Sequence, residues 1–169
     1  MLHIGLLSDT HGWWDDKYAE HFSACDEIWH AGDIGSPEVA ARLSALKPLR
    51  AVYGNIDGPP LRGQYPVTDC FTAEGVTVMM THIGGYPGRY APEIRAALYA
   101  YRPKLFISGH SHILKVMYDK TLDCLHINPG AAGISGFQQV RTLVRFAIDG
   151  AKIQDLEVIE LAKPQNNFR

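Results

Sequence analysis

The chain opens on a largely apolar run over residues 2–8, which reads as a strand buried on both faces. Tyr18, Ala19 and Phe22 then recur at near-helical spacing within residues 15–24, with Asp15 and Asp16 where a helix start favours negative charge. A short strand follows over 27–31. Ser36-Pro37-Glu38 opens a second helix with a capping side chain and a proline in its first turn. Val39, Ala40, Leu43 and Leu46 form its apolar stripe, and Lys47-Pro48 ends it. A third strand is expected over 49–53, and Gly58-Pro59-Pro60 marks a loop. Residues 67–73 and 76–81 read as strands joined at Glu74-Gly75, 92–101 as a helix entered at Pro92, and 105–108 as another buried strand. Beyond residue 113 helical spacing disappears. Strands are expected over 113–119, 122–127, 140–148 and 152–160, with Asp149-Gly150 turning between the last two.

An α/β opening followed by antiparallel strands predicts a mixed α/β (α+β) chain. Two mixed sheets packed face to face, flanked by helices, would satisfy both halves. Its 169 residues suit one domain, expected over residues 1–163, with a polar tail over 164–169; Lys163 onward reads as frayed. Apolar residues make up 46% and charged residues 20%, which is ordinary globular composition, and the net charge of −2 gives no sign of a large nucleic-acid footprint. Three scattered cysteines, Cys25, Cys70 and Cys124, form no CxxC pair and read as buried reduced thiols. No apolar run approaches a membrane span, and residues 2–7 read as a strand rather than a signal peptide, so the expected location is the cytoplasm.

Five of the apolar runs stop abruptly at polar residues of metal-binding type. They lead to Asp9 and His11, to Asp33, to Asn55, to His82, and to His110 and His112. Asp9 and His11 lie two apart, as do His110 and His112, and persistent strand geometry would send both members of each pair to one face. The seven offer two carboxylates, one amide and four imidazoles, and no thiolate. Such a set suits first-row divalent ions such as manganese, iron, zinc or nickel. Seven ligands exceed what one structural zinc needs and fit two ions sharing a carboxylate. Two carboxylates against about four positive charges leave a field that favours an anionic substrate. A centre of that kind activates water against a phosphate.

These motifs resemble those of the calcineurin-like metallophosphoesterases, particularly the small bacterial and archaeal phosphodiesterase branch. The matching pieces are Ser8-Asp9-Thr10-His11-Gly12, Ala31-Gly32-Asp33-Ile34, Gly54-Asn55-Ile56-Asp57, Met80-Thr81-His82 and Gly109-His110-Ser111-His112, with Asn128-Pro129-Gly130 as a later loop. The resemblance implies a four-layer α-β-β-α sandwich and a metal-dependent phosphodiesterase. It assigns Asp9, His11, Asp33 and His112 to one ion, with Asp33 bridging, and Asn55, His82 and His110 to the other. Manganese is the expected metal, and a metal-held hydroxide the expected nucleophile. Asp33, Asn55 and His82 are the expected catalytic residues, and Asp57 would orient a ligand from behind.

The chain departs from the family in two places. Many relatives carry a histidine, the usual acid for the leaving group, where this chain has Ile56. Isoleucine transfers no proton, so a diester with an acidic leaving alcohol is the expected substrate. The segment after His82, residues 83–90, is glycine-rich and is expected to border the substrate. There Arg89 would clamp a phosphate, beside Asn55, and Tyr86 or Tyr90 would stack on a base. Arg141 is a weaker candidate. His30 and His126 read as packing or supporting residues. The expected partner is a small phosphoester or nucleotide, with a homo-oligomer left open. Two rival readings are a non-enzymatic scaffold like the retromer subunit of this fold, and a nuclease of the double-strand-break repair type.

Overall fold

The computed structural model describes residues 1–164. Strand β1 (Leu2–Leu7), helix α1 (Asp16–Phe22), β2 (Glu27–His30), α2 (Pro37–Leu46) and β3 (Leu49–Ala51) form the α/β opening. After them come α3 (Pro59–Gln64), β4 (Thr68–Ala73), β5 (Val76–Thr81), a two-stranded ribbon of β6 (Gly85–Tyr86) and β7 (Arg89–Tyr90), and α4 (Pro92–Tyr101). The remainder is β8 (Leu105–Ile107), β9 (Leu114–Asp119), β10 (Cys124–Pro129), β11 (Val140–Asp149) and β12 (Lys152–Ala162). The expected loop at Pro59-Pro60 is therefore the start of a short helix, because proline at the first helical position gives up only an N–H that has no partner there.

Two five-stranded mixed sheets result, ordered β12-β11-β1-β2-β3 and β4-β5-β8-β10-β9. β1, β2 and β3 run parallel, as do β5, β8 and β10. Between the sheets lies one core that includes Ile4, Leu6, Trp29, Val78, Met80, Ile107, Ile127, Val144 and Phe146. Trp29 meets the rings of Phe71 and Phe146 edge-on, at centroid distances of 5.0 and 5.7 Å. A second core packs α1 and α2 on the outer face of the first sheet through Tyr18, Phe22, Val39 and Leu43, against Leu7 and Ile28. A third packs Leu98 of α4 on Met79, Phe106 and Cys124 of the other sheet. The layers are thus helix, sheet, sheet, helix. The apolar stripe of each helix, and the strands apolar on both faces, leave no other stable stacking.

Two sequence expectations change here. Cys25 and Cys124 are buried free thiols, but Cys70 is exposed, because its alternating strand β4 turns that position outward. Lys163 is not frayed: its ammonium donates to the carbonyls of Gly136 (2.7 Å) and Gln138 (3.2 Å), closing the 133–139 loop. The rest of the expected tail, residues 165–169, lies outside the described residues. Among the described residues no helix is long and apolar enough to cross a membrane.

Candidate metal centre

All seven candidate residues follow the carboxyl ends of strands β1, β2, β3, β5 and β8, at one end of the sandwich. The strand geometry expected for the two pairs stops short of them. Asp9 and His11 have φ of 55° and 47°, His110 and His112 of 74° and 63°, and Asp33 of 56°. Convergence of these residues therefore comes from left-handed kinks just past β1, β2 and β8, not from strand alternation. Such conformations cost on the order of 1–2 kcal/mol each for a residue with a side chain, and cluster where a site dictates them.

Backbone pairing holds the kinked loops together. Asp9, His11 and Gly12 donate their N–H groups to the carbonyls of Gly32 (2.9 Å), Asp33 (3.0 Å) and Ile34 (2.8 Å). The glycine of one motif makes room for the ligand of another. A Cβ on Gly32 would stand 2.7 Å from Nδ1 of His82, and one on Gly54 would overlap the Asp33 carboxylate.

The ligand atoms face a common space. Asp9 receives Ser8 Oγ (2.6 Å) and the His110 N–H (3.1 Å) on Oδ2, which leaves Oδ1 free. That Oδ1 lies 3.2 Å from Nε2 of His112, 3.6 Å from that of His11 and 3.7 Å from that of His82. Asp33 receives the Ile56 N–H on Oδ1 (3.1 Å), so its Oδ2 stands between His11 Nε2 (3.3 Å) and His82 Nε2 (3.1 Å). Nδ1 of His110 is 3.1 Å from Oδ1 of Asn55. Donor atoms about 2.1 Å from a shared ion sit roughly 3–3.5 Å apart, as most of these do; the Asp9 Oδ1 distances to His11 and His82 are slightly longer. Two groups of metal-binding type emerge: Asp9, His11 and His112; and Asp33, His82 and His110.

A divalent cation fits this set. Asp9 Oδ1, His11 Nε2 and His82 Nε2 are buried with no hydrogen-bond partner, which is costly unless something else satisfies them. His82 offers Nδ1 to the Ala31 carbonyl (2.8 Å) and His112 offers Nδ1 to Gln138 Oε1 (3.1 Å), which turns Nε2 of each toward the carboxylates. Asp33, then Asp9, push the His11 imidazole up to about 9. Burial alone would raise both carboxyls, but the imidazoles of His11 and His112 beside Asp9, and of His11 and His82 beside Asp33, hold them well below the usual range.

Asp57 touches none of these atoms. Its carboxylate accepts the N–H groups of Gly54 (2.8 Å), Gly35 (2.8 Å) and Ile34 (3.2 Å), tying the loop after β3 to the loop after β2. His30, which the sequence reads as a packing or supporting residue, does similar work. Its Nδ1 accepts the Gly32 N–H (3.0 Å), so Nε2 carries the proton and donates to Thr10 Oγ1 (3.0 Å), which donates to the Ile34 carbonyl (2.8 Å). Burial holds its pKa down at about 4, so the imidazole stays neutral in this role. Arg62, beside Asn55, was missed. No motif flagged it, since only the unexpected helix α3 brings it there.

The ribbon after His82 runs along β9. Arg89 lines a cleft with Arg95, Tyr99 and Tyr118, away from all seven candidates, and Tyr86 lies under Lys115 at 4.2 Å. The reason is a tether. Ser108 Oγ donates to the Gly85 carbonyl (3.0 Å), and Tyr90 donates to Asp119 (2.7 Å), which lays the ribbon along β9. Arg141 is buried and spent on Asp15 (2.9 Å) and the carbonyl of Ala132 (2.8 Å), so it is a structural clamp.

Fold and site together define a metal-dependent phosphoesterase. The model of the calcineurin-like phosphoesterase superfamily domain matches residues 2–151, and the chain belongs to that superfamily. A relative in Methanothermobacter thermautotrophicus named "Probable metallophosphoesterase" is 30% identical over 98% of both chains. Among solved structures, an archaeal phosphodiesterase matches with TM-score 0.76 at 22% identity, over 95% of this chain and 100% of its own. Zinc-bound Vps29 of Entamoeba histolytica matches with TM-score 0.75 at 13% identity, over 96% and 100%. At those identities the two structures speak for the fold alone.

Proposed function

We propose that the chain is a phosphodiesterase working through two divalent ions, manganese in the first instance. Asp9, His11, Asp33 and His112 would hold one ion, and Asp33, Asn55, His82 and His110 the other. The observation that carries this reading is the set of three buried, unpartnered ligand atoms around two carboxylates, with Asp33 Oδ2 facing both groups. Bound there, divalent ions supply activation of water and neutralisation of phosphoryl oxygens. The chain supplies position: His82 and His112 are oriented by Ala31 and Gln138, and Asp33 is fixed by the Ile56 N–H. Asn55, His82 and Asp33 border the place of the phosphate. The preference for diesters rests on position 56, where a half-exposed isoleucine offers no proton to a leaving alkoxide. The substrate is then a small phosphoester or nucleotide. Three free thiols accord with a reducing cytoplasm.

The experiment is hydrolysis of bis-p-nitrophenyl phosphate and p-nitrophenyl phosphate with and without chelator. The expected result is loss of activity on chelation, recovery with Mn²⁺, and a faster diester reaction. Chelator-resistant hydrolysis, or a clear monoester preference, would overturn the reading. Metal bound without any hydrolysis would favour a scaffold.

A further inference from the structure

Beside Asn55 and His82 the surface folds into a cavity of about 330 Å³. Its role rests on the phosphodiesterase reading and concerns what the ester carries. Three aliphatic side chains, Val67, Ile83 and Ile94, line the cavity, and Arg62 and Glu93 supply its charged groups. Val67 and Ile83 are 55% and 48% exposed, a poor arrangement for large aliphatics unless an apolar surface covers them.

Arg62 is held ready. Its Nε donates to the Asp57 carbonyl (2.5 Å) and Nη2 to the Asn55 carbonyl (3.3 Å), and the guanidinium lies 4.8 Å over the Tyr53 ring. Among the described residues Nη1 has no partner, and neither has the Glu93 carboxylate. Tyr53, Thr68 and Thr81 also line it, but the two threonine hydroxyls bond each other (3.0 Å) and the Tyr53 ring lies under Arg62, so the cavity offers mainly apolar walls with one fixed donor and one acceptor. A lipid chain would leave both charges unpaired, and a sugar would set hydroxyls against three aliphatic walls. A second phosphate would face Glu93. A nucleobase meets every requirement, with apolar faces and an edge of ring acceptors and N–H donors. Asn55 and His82 line both the cavity and the candidate metal centre, so one ligand reaches both.

We propose that this cavity receives the base of a nucleotide-derived phosphodiester, with Arg62 donating to a ring acceptor and Glu93 accepting from an N–H on the same edge. The base then lies on the Asn55 side of phosphorus, not on the tyrosines of the ribbon.

The test is calorimetric binding of the four common nucleoside 5′-monophosphates and of inorganic phosphate to the Mn²⁺-loaded protein, which needs no turnover. At least one nucleotide is expected to bind about tenfold or more tighter than phosphate. Val67→Trp and Ile83→Trp fill the cavity from exposed positions, and each should remove that advantage while phosphate affinity holds. Glu93→Gln should reorder the preference among the bases. Nucleotides binding no tighter than phosphate, or an advantage surviving both tryptophans, overturns the pocket; an unchanged order in Glu93→Gln overturns the role of Glu93. Diester hydrolysis measured in parallel separates the two readings. Hydrolysis without a nucleotide advantage sinks the pocket alone, whereas a nucleotide advantage without hydrolysis of any diester keeps the pocket and sinks the phosphodiesterase.

Discussion

Left-handed residues occur at both ends of the sandwich, but they differ in what surrounds them. Away from the candidate metal centre, Glu74, Arg102, Asp123 and Asp155 occupy turns, a helix cap and a bulged stretch of β12. Three of them sit among satisfied polar groups. Glu74 accepts the Gly150 N–H (2.8 Å), the Arg102 N–H closes α4 on Leu98 (2.9 Å), and Asp123 takes the Lys104 ammonium (2.6 Å). At the other end Asp9, His11, Asp33, His110 and His112 are as strained, yet the site they share holds three buried ligand atoms with no partner. Strain beside satisfied bonds marks chain reversal. Strain beside unsatisfied buried donors marks a place completed by something the chain does not itself contain. The two ends should therefore respond differently to substitution.

Removing the carboxylate that faces both groups should have the largest effect. In Asp33→Ala the imidazoles of His11 and His82 lose their nearest oxygen, at 3.3 and 3.1 Å. Both ions should be lost, and diester hydrolysis should fall by about a thousandfold or more. Metal content by elemental analysis beside the rate checks this. Retention of two ions per chain would show that Asp33 does not join the groups.

The next prediction asks whether loop positioning, not only the ligands, makes the strained end a site. His30 and Thr10 reach no ligand atom, but they link the Gly32 and Ile34 backbone across two kinked loops. Thr10→Val leaves the His30 Nε2–H unpaired in a fully buried place, at a cost of about 1–3 kcal/mol in stability. Mn²⁺ affinity should weaken by roughly tenfold to a hundredfold, measured well below the unfolding temperature. A stability loss with unchanged metal affinity would make the pair a core contact only.

What the sequence could disclose divides along the same line. Strands and helices were legible because apolar period and turn residues act locally; Asp149-Gly150 and Glu74-Gly75 both turn as read. The seven candidates were legible because five runs ended on ligand-type residues. The left-handed backbone at five of them was not, since strand spacing gives the same pairing of Asp9 with His11 for a different reason. Arg89 and Tyr86 read as substrate contacts by proximity to His82 in the chain; tethers from Ser108 and Asp119 to Gly85 and Tyr90 lay their ribbon along β9, with Arg89 in a cleft that none of the seven candidates lines. Arg62 became visible only with α3, whose two prolines read as loop.

A smaller effect concerns pH. Metal-free His11 is raised to about 9 by Asp33 and Asp9, so its proton must leave before Nε2 can bind an ion. Mn²⁺ affinity should climb by up to about tenfold per pH unit between pH 6.5 and 9, then level off. The sign reverses without metal. A pKa raised on folding contributes stability that is fully present below the unfolded value of 6.5 and is lost as pH rises through about 9. Across that window the melting temperature of the metal-free protein should fall while that of the Mn²⁺-saturated protein should hold level, because neither its folded nor its unfolded state then carries the His11 proton. Parallel curves would mean that His11 is not in the ion's reach.

The smallest effect tests the quiet end. Arg102 caps α4 at φ 55°, where glycine avoids the left-handed penalty, and its exposed side chain adds a 3.2 Å bond to the Tyr99 carbonyl and a guanidinium 5.1 Å over the Tyr99 ring. Arg102→Gly exchanges that bond and some unfolded-chain entropy for relief of backbone strain, for a net gain of about 1 kcal/mol or less. A rise of roughly 2–4 °C in the melting temperature is the upper end of what to expect. Mn²⁺ affinity should not move, because the Arg102 cap bonds only Leu98 and Tyr99 and touches none of the seven candidate ligands. If relaxing Arg102 changed metal binding, strain at the two ends would be coupled, and the contrast between paired and unpaired kinks would no longer explain where the site lies.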